Sequence, residues 1–216
     1  MFVIVTSPNH LSCQSNRVKA ALQVSCCLAV LSGCAATRPG VDLPELSTWE
    51  LRQQVLGSAI DWEFRGRIAV KAGTEGFNGK FNWTQTGDDF FATVGSSLGI
   101  GTVKIEGNDQ TVVLTDKDGV ETVLVDPESE LYYRYGWTIP VASLRYWALG
   151  IPDPQSEATT ELDEAGRLSS LKQGNWAVSI SRYKESAGQQ LPRTLTASNP
   201  DTRVRMIIDQ WKFFDR

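Results

Sequence analysis

The sequence predicts a mainly β protein, a large and strongly curved antiparallel sheet or barrel of about eleven strands. Three observations lead there. Apolar residues recur with a period of two in segment after segment, the mark of half-buried antiparallel strands. Short turn sequences such as EGND, DKDG, DEAG and KQGN separate several of these segments. Two short amphipathic helical patterns interrupt the series midway, which suggests a sheet wrapped around helices that plug or cover its concave side. Periodicity alone favours a plainer alternative, in which those helices simply complete the core.

The first 33 residues stand apart from the fold. Arg17 and Lys19 are their only charges, and the apolar run Ala20–Leu31 is too short for the ~20 residues that span a bilayer. The run ends in Leu31-Ser32-Gly33-Cys34, which resembles the bacterial lipobox, where cleavage leaves a diacylated cysteine as the new N-terminus. An ordinary secretory signal or an N-terminal anchor helix is the alternative. The stretch before Arg17 is long and polar, which leaves room for a later start near Val18. The expected organisation is a cleaved lipoprotein-type signal peptide over 1–33, a flexible tether over 34–43 and one folded domain over 44–216.

Beyond the tether, Leu46, Trp49, Leu56 and Ile60 fall on one face of a helix. The period then switches to two. In WEFRGRIAVK, Trp62, Phe64, Ile68 and Val70 face one way and Glu63, Arg65, Arg67 and Lys71 the other. In FNGKFNWTQT, Phe77, Phe81 and Trp83 alternate with Asn78, Lys80, Asn82 and Thr84. Strand patterns follow over 89–95, 101–107, 111–115 and 120–125. After the interruption they resume over 159–163, 167–173, 175–183, 192–198 and 203–213. The interruption itself reads as two helices. DPESELYYRYG has Asp126 as N-cap, Pro127 at the first helical position and Gly136 past the end. IPVASLRYWALGIP has Pro140 near its start, Gly150 and Pro152 beyond its end, and Val141, Leu144, Trp147 and Ala148 on one face.

The residue inventory excludes most chemistry. Without the leader, 183 residues remain, and Cys34 is their one cysteine, because Cys13, Cys26 and Cys27 leave together with the only histidine, His10. The 19 remaining Lys and Arg stand against 25 Asp and Glu, a formal charge of −6, which argues against a nucleic-acid partner. Gly95–Gly99 (GSSLG) matches the G-x-S-x-G elbow of serine hydrolases with Ser97 as nucleophile. That nucleophile needs an adjacent base and a strand-to-helix turn, and here strand patterns flank the motif on both sides. Asp116-Lys117-Asp118-Gly119 opens like a calcium loop, but Pro127 occupies the twelfth position, where glutamate is required, so a hairpin turn is expected. No metal or cofactor is expected.

Seven segments run in order along the chain: FRGRIAV (64–70), FNWTQTGD (81–88), SLG (97–99), YGWTIPVASLRYWALGIP (135–152), QGNWAVSISRY (173–183), LPRTLT (191–196) and DQW (209–211). Together they resemble the LolB family of outer-membrane lipoprotein receptors of Gram-negative bacteria. The resemblance implies an open, eleven-stranded half-barrel with short helices lidding an apolar cavity. It implies a receptor, not an enzyme, that accepts acylated lipoproteins from the periplasmic carrier LolA and inserts them into the inner leaflet of the outer membrane. The partners it implies are that carrier, the acyl chains of its cargo and outer-membrane phospholipid, and a monomer is expected. Ala35 follows Cys34, where an aspartate would be the usual inner-membrane retention signal.

Strand phase, the lid-helix face and the resemblance together make Trp83, Trp137, Leu144, Trp147 and Trp176 candidates to line or roof the cavity, although tryptophans on inward faces equally form dry cores. Leu98, Gly99 and Ile100 match the family's membrane-insertion loop. Ser97 stands where the family usually has proline, which predicts a less rigid turn. Composition alone leaves Leu98 an ordinary exposed leucine; the resemblance makes it the residue that enters the bilayer.

The lipobox reading makes Cys34 the only covalent anchor. Cys34→Ala is expected to leave a folded domain that no longer sediments with outer membranes. Unchanged membrane fractionation of that variant would remove the lipid-anchor assignment.

Overall fold

The computed structural model describes residues 38–96, 102–108, 110–135 and 138–215, and Pro39–Arg216 form one compact unit. Its elements are α1 (Trp49–Gly57), β1 (Asp61–Ala72), β2 (Glu75–Thr86), β3 (Asp89–Ser96), β4 (Thr102–Gly107), β5 (Val112–Thr115) and β6 (Glu121–Leu124). Then come α2 (Pro127–Tyr135), α3 (Val141–Leu149), β7 (Ala158–Leu162), β8 (Leu168–Gln173), β9 (Trp176–Ser186), β10 (Gln189–Ser198) and β11 (Thr202–Phe213). The strands form one antiparallel sheet in the order β6-β5-β4-β3-β2-β1-β11-β10-β9-β8-β7. Every neighbour is adjacent in sequence except β1 and β11, whose pairing joins the two halves. The sheet is open, with β6 and β7 as its edges, and the chain passes from one edge to the other through α2 and α3.

The period-two pattern becomes the two faces of the sheet. Trp62, Phe64, Ile68 and Val70 of β1 are buried, whereas Arg65, Arg67 and Lys71 are exposed. On β11 the inward set is Val204, Met206 and Ile208, then Trp211 and Phe213, a phase change the sequence pattern did not anticipate. Its cause is a bulge: Arg65 pairs with Gln210 and Gly66 with Ile208, so Asp209 has no opposite residue. Bulges bend and twist the strand that carries them. Gly66 is required there, because a Cβ would collide with the Ile207 carbonyl.

The N-terminal stripe is shorter than its periodicity suggested. Thr48 Oγ1 accepts the Leu51 N–H at 3.1 Å and starts α1 after Leu46, and Ser58 ends it before Ile60. Leu46 is still buried, whereas Ile60 is 36% exposed where the chain turns toward β1. The buried Arg52 fastens α1 to the β9–β10 hairpin. Its guanidinium donates to the Gln190 carbonyl and lies 5.7 Å from the Tyr183 ring centroid. Arg167 stacks on the same ring at 4.4 Å, and the Tyr183 hydroxyl donates to the Leu168 carbonyl at 2.7 Å. Burial lowers the Arg52 pKa and raises that of Tyr183 well above the ordinary tyrosine value, which keeps the hydroxyl a donor. The last residues of the expected tether also belong to the fold: Val41 N–H donates to Phe213 O at 2.8 Å and Leu43 N–H to Ala187 O at 2.9 Å.

Local chemistry starts α2 and ends α3. Asp126 Oδ1 accepts the Ser129 N–H at 3.2 Å, while Glu130 Oε1 reaches back to the Val125 and Asp126 N–H groups, a capping box around α2. Gly150 closes α3 at φ 81°. Beyond it, the buried Gln173 of β8 organises the exit loop. Its Oε1 accepts from Trp147 Nε1 at 2.8 Å and from Asp153 N–H at 3.0 Å. Its Nε2 donates to the carbonyls of Asp153 and Ser156 at 2.7 and 2.8 Å.

Gln173→Leu keeps the volume but leaves the Trp147 indole N–H and the exit loop without partners. A loss of about 2–3 kcal/mol is expected, since a buried unpaired donor costs about 1–3 kcal/mol. That corresponds to a fall of roughly 4–12 °C in Tm for a domain of this size. Calorimetry showing an unchanged Tm would contradict the role given to Gln173.

Candidate functional site

The inward side chains of the central strands form an aromatic floor. Trp62 stacks on Phe64 and on Trp83, with ring centroids 6.1 and 6.3 Å apart. Trp211 meets Phe64 at 5.1 Å, and Trp83 lies on Phe90 at 4.7 Å. The edge strands cannot complete this surface, because the sheet does not close. The cover comes from α3, whose Val141, Leu144, Trp147, Ala148 and Leu149 are all buried.

Between α3 and the sheet lies a cavity lined only by apolar side chains. Ile68, Phe81, Trp83, Phe90, Ala92, Val94 and Ile105 come from β1 to β4, and Ile139, Val141 and Leu144 roof it. Its free volume is about 20 Å³, room for roughly one water molecule. No acyl chain fits while the helices hold this position. In this closed state the helices complete the core, as the plainer reading of the sequence held, and they are also a roof over the apolar floor.

Among the described residues the roof is fastened at both ends of α3. Trp147 joins α3 to the Gln173 cluster, and Ser143 Oγ, in the first turn of α3, donates to Asp153 Oδ2 at 2.7 Å. Its N-terminal approach is tied to β11 by a longer bond, Thr138 N–H to Thr202 Oγ1 at 3.4 Å. Helix α2 adds one buried leucine, Leu131, and turns Tyr132 and Tyr133 outward, 47% and 86% exposed.

The sequence candidates separate accordingly. Trp83 and Leu144 line the cavity. Trp147 and Trp176 lie beside each other, ring centroids 6.1 Å apart, outside that lining and next to Gln173. Trp137, Ser97, Leu98, Gly99, Ile100 and Cys34 lie outside the described residues. Phe81, Phe90 and Ile105 were not singled out, although Phe81 shares its strand phase with Trp83; choosing by residue type instead of phase missed them. The strands flanking GSSLG are described, and they pair antiparallel through Gly95 and Thr102. The motif therefore joins strand to strand, not the strand to helix that a nucleophile elbow needs. Asp116 sits in a hairpin turn, its Oδ1 accepting the N–H groups of Asp118 and Val120 at 2.9 Å each. Those bonds, that to Val120 first, hold its carboxyl below the usual range.

A family model described as outer membrane lipoprotein LolB matches residues 60–211, from the approach to β1 to Trp211, which takes in all the strands but the end of β11 and both lid helices. An outer-membrane lipoprotein LolB of Nitrosococcus oceani is 36% identical over 187 residues, covering 86% of this chain and 93% of the relative. A protein of the same description from Aeromonas hydrophila is 30% identical over 185 residues, covering 86% and 92%. In fold alone, the chain resembles a LolA-superfamily protein of Nitrosomonas europaea, with a TM-score of 0.50 at 6% identity over 74% of this chain and 88% of the other. Sequence match and half-barrel architecture agree: the chain belongs to the LolB family of outer-membrane lipoproteins.

Proposed function

We propose that this chain is a receptor that takes acylated lipoproteins from the periplasmic carrier LolA and releases them into the inner leaflet of the outer membrane. It is held there by lipid on Cys34, as a monomer facing the periplasm. The observation that carries this reading is the wholly apolar cavity between the aromatic floor and the short helix that roofs it. Each acyl methylene withdrawn from a membrane into water costs about 0.8 kcal/mol, so a cargo with several chains does not cross water unaided. A cavity floored by Trp83, Phe81 and Phe90 gives those methylenes an apolar phase, provided that α2 and the start of α3 swing away. No nucleotide and no covalent step are needed if apolar contact improves from carrier to receptor to bilayer.

The roles follow from position. Trp83 and Leu144 contact the acyl chains. Trp147 and Trp176 brace the roof beside Gln173, and Trp137 keeps the role that the family resemblance gives it, as a residue lining or roofing the cavity. Leu98, with Gly99 and Ile100, enters the bilayer at the moment of release. Ser97 has no chemical role.

Two measurements test this. Adding an acylated peptide to the folded chain is expected to shift tryptophan emission, since Trp83 lines the cavity; a flat titration would favour a permanently filled core. Leu98→Glu is expected to fold with near-native Tm and to accept lipoprotein from the carrier. It should fail to insert that cargo into vesicles, because a carboxylate opposes entry into hydrocarbon. Ser97→Ala should transfer normally. If Leu98→Glu unfolds the domain, the leucine is core; if it delivers at the wild-type rate, the loop is not the insertion device.

A further inference from the structure

The outward face of the central strands is cationic at one end. Lys71 on β1 stands opposite Arg203 on β11, and Arg67 opposite Lys80 on β2. Ala69, between them on β1, faces Arg205 on one side and Asn78 on the other. All seven residues are exposed. Like charges directly across a strand pair are destabilising, so folding alone does not account for them. Asp209 pairs with Arg67 at 3.3 Å and Arg193 at 3.7 Å, while Lys71, Lys80, Arg203 and Arg205 make no ion pair among the described residues. The carboxylates of Glu75 and Asp201 belong to residues at the hairpin ends.

Two of these cations, Arg67 and Arg205, line a groove. It lies between Arg67 and Arg205 over the small side chain of Ala69, with Asn78 and Ile207 along it, and has a volume of about 210 Å³. It lies at the end of the sheet that carries the 97–101 connection, because Gly79, which also lines the groove, pairs with Ser96.

We propose that this groove receives the phosphate headgroups of anionic phospholipid, so that the outward face of β1, β2 and β11 rests on the bilayer surface during delivery. The proposal relies on the function above only for the membrane as destination; it adds the face and the lipid class. Guanidinium groups match phosphate oxygens in paired hydrogen bonds, and the two arginines flank a floor low enough to admit a headgroup. The chain is otherwise acidic, −4 over the full sequence. An anionic surface therefore attracts this face and repels the rest, which orients the molecule as well as holding it.

The test uses the chain begun at residue 34 with Cys34→Ala, which has no acyl anchor and retains the whole compact unit from Pro39. It is mixed with vesicles of phosphatidylcholine, alone or with a third of phosphatidylglycerol. Co-flotation with the anionic vesicles only is expected, with release as the Debye length falls from about 10 Å at 0.1 M salt to about 3 Å at 1 M. Lys71→Gln with Arg205→Gln should bind them roughly 30-fold more weakly and melt no lower than the parent chain. Lys71→Arg, which keeps the charge and leaves both groove arginines in place, should bind as the parent does. Equal flotation with both vesicle types, or unchanged binding by the glutamine pair, would overturn the proposal. So would a glutamine pair that binds vesicles normally but no longer accepts cargo from the carrier, which would assign the face to an acidic protein. Acylated-peptide uptake, followed by tryptophan emission, reports separately on the receptor reading.

Discussion

An open, curved sheet with an aromatic inner face has to be covered, and the rest of the structure follows from that need. The rings of Trp62, Phe64 and Trp83 stack across β1 and β2, and Trp211 of β11 meets Phe64 edge-on. Each such ring removes on the order of 150–250 Å² from water when buried. A closed barrel would cover them with its own strands, but here β6 and β7 remain edges. The connection between those edges must cross the mouth of the half-barrel, and it is the segment that carries α2 and α3. Topology therefore delivers the cover to the place where the floor is bare. The bulge at Asp209 and the bare backbone of Gly66 belong to the same requirement, because they bend the central strand pair that gives the floor its concavity.

Much of this was legible in the sequence, and the exceptions share a cause. Period-two alternation located the strands, and Asp126, Gly150 and the flanking prolines located both lid helices, because strand phase and capping are local properties. The phase change in β11 was not legible, since a bulge is a relation between Asp209 and a strand more than a hundred residues away. The stripe from Leu46 to Ile60 overran its helix because side-chain spacing says nothing about where Thr48 and Ser58 stop the backbone. Gln173 read only as the end of a strand pattern at the KQGN turn; its four bonds depend on Trp147, Asp153 and Ser156, none of them near it in sequence. The resemblance to a family supplied the idea of a cavity, while strand phase, applied throughout, would have supplied more of its lining than tryptophan content did.

The two faces of the sheet divide the physical work. Inside, the cavity has no polar lining side chain, and the dispersion and water exclusion that hold its walls together carry no directional demand. Outside, the arginines and lysines of β1, β2 and β11 create directional, salt-sensitive attraction. Family membership accounts for the first face. The second needs its own explanation, because like charges placed opposite one another work against the sheet that holds them.

The closed roof also sets how tightly cargo can be held. Lifting Val141 and Leu144 from the floor exposes two buried side chains, at about 1.5–3 kcal/mol each. An incoming acyl chain recovers about 0.8 kcal/mol per buried methylene. Roughly four to eight methylenes therefore do no more than offset the opening, and only those beyond that number contribute net affinity. A cavity kept open would lack this offset and would bind the same chain more tightly, which is a disadvantage in a protein that must let it go. The refilled roof competes with the cargo inside the cavity, so release to a bilayer, where all methylenes are buried and the roof can close again, is downhill without any chemical step.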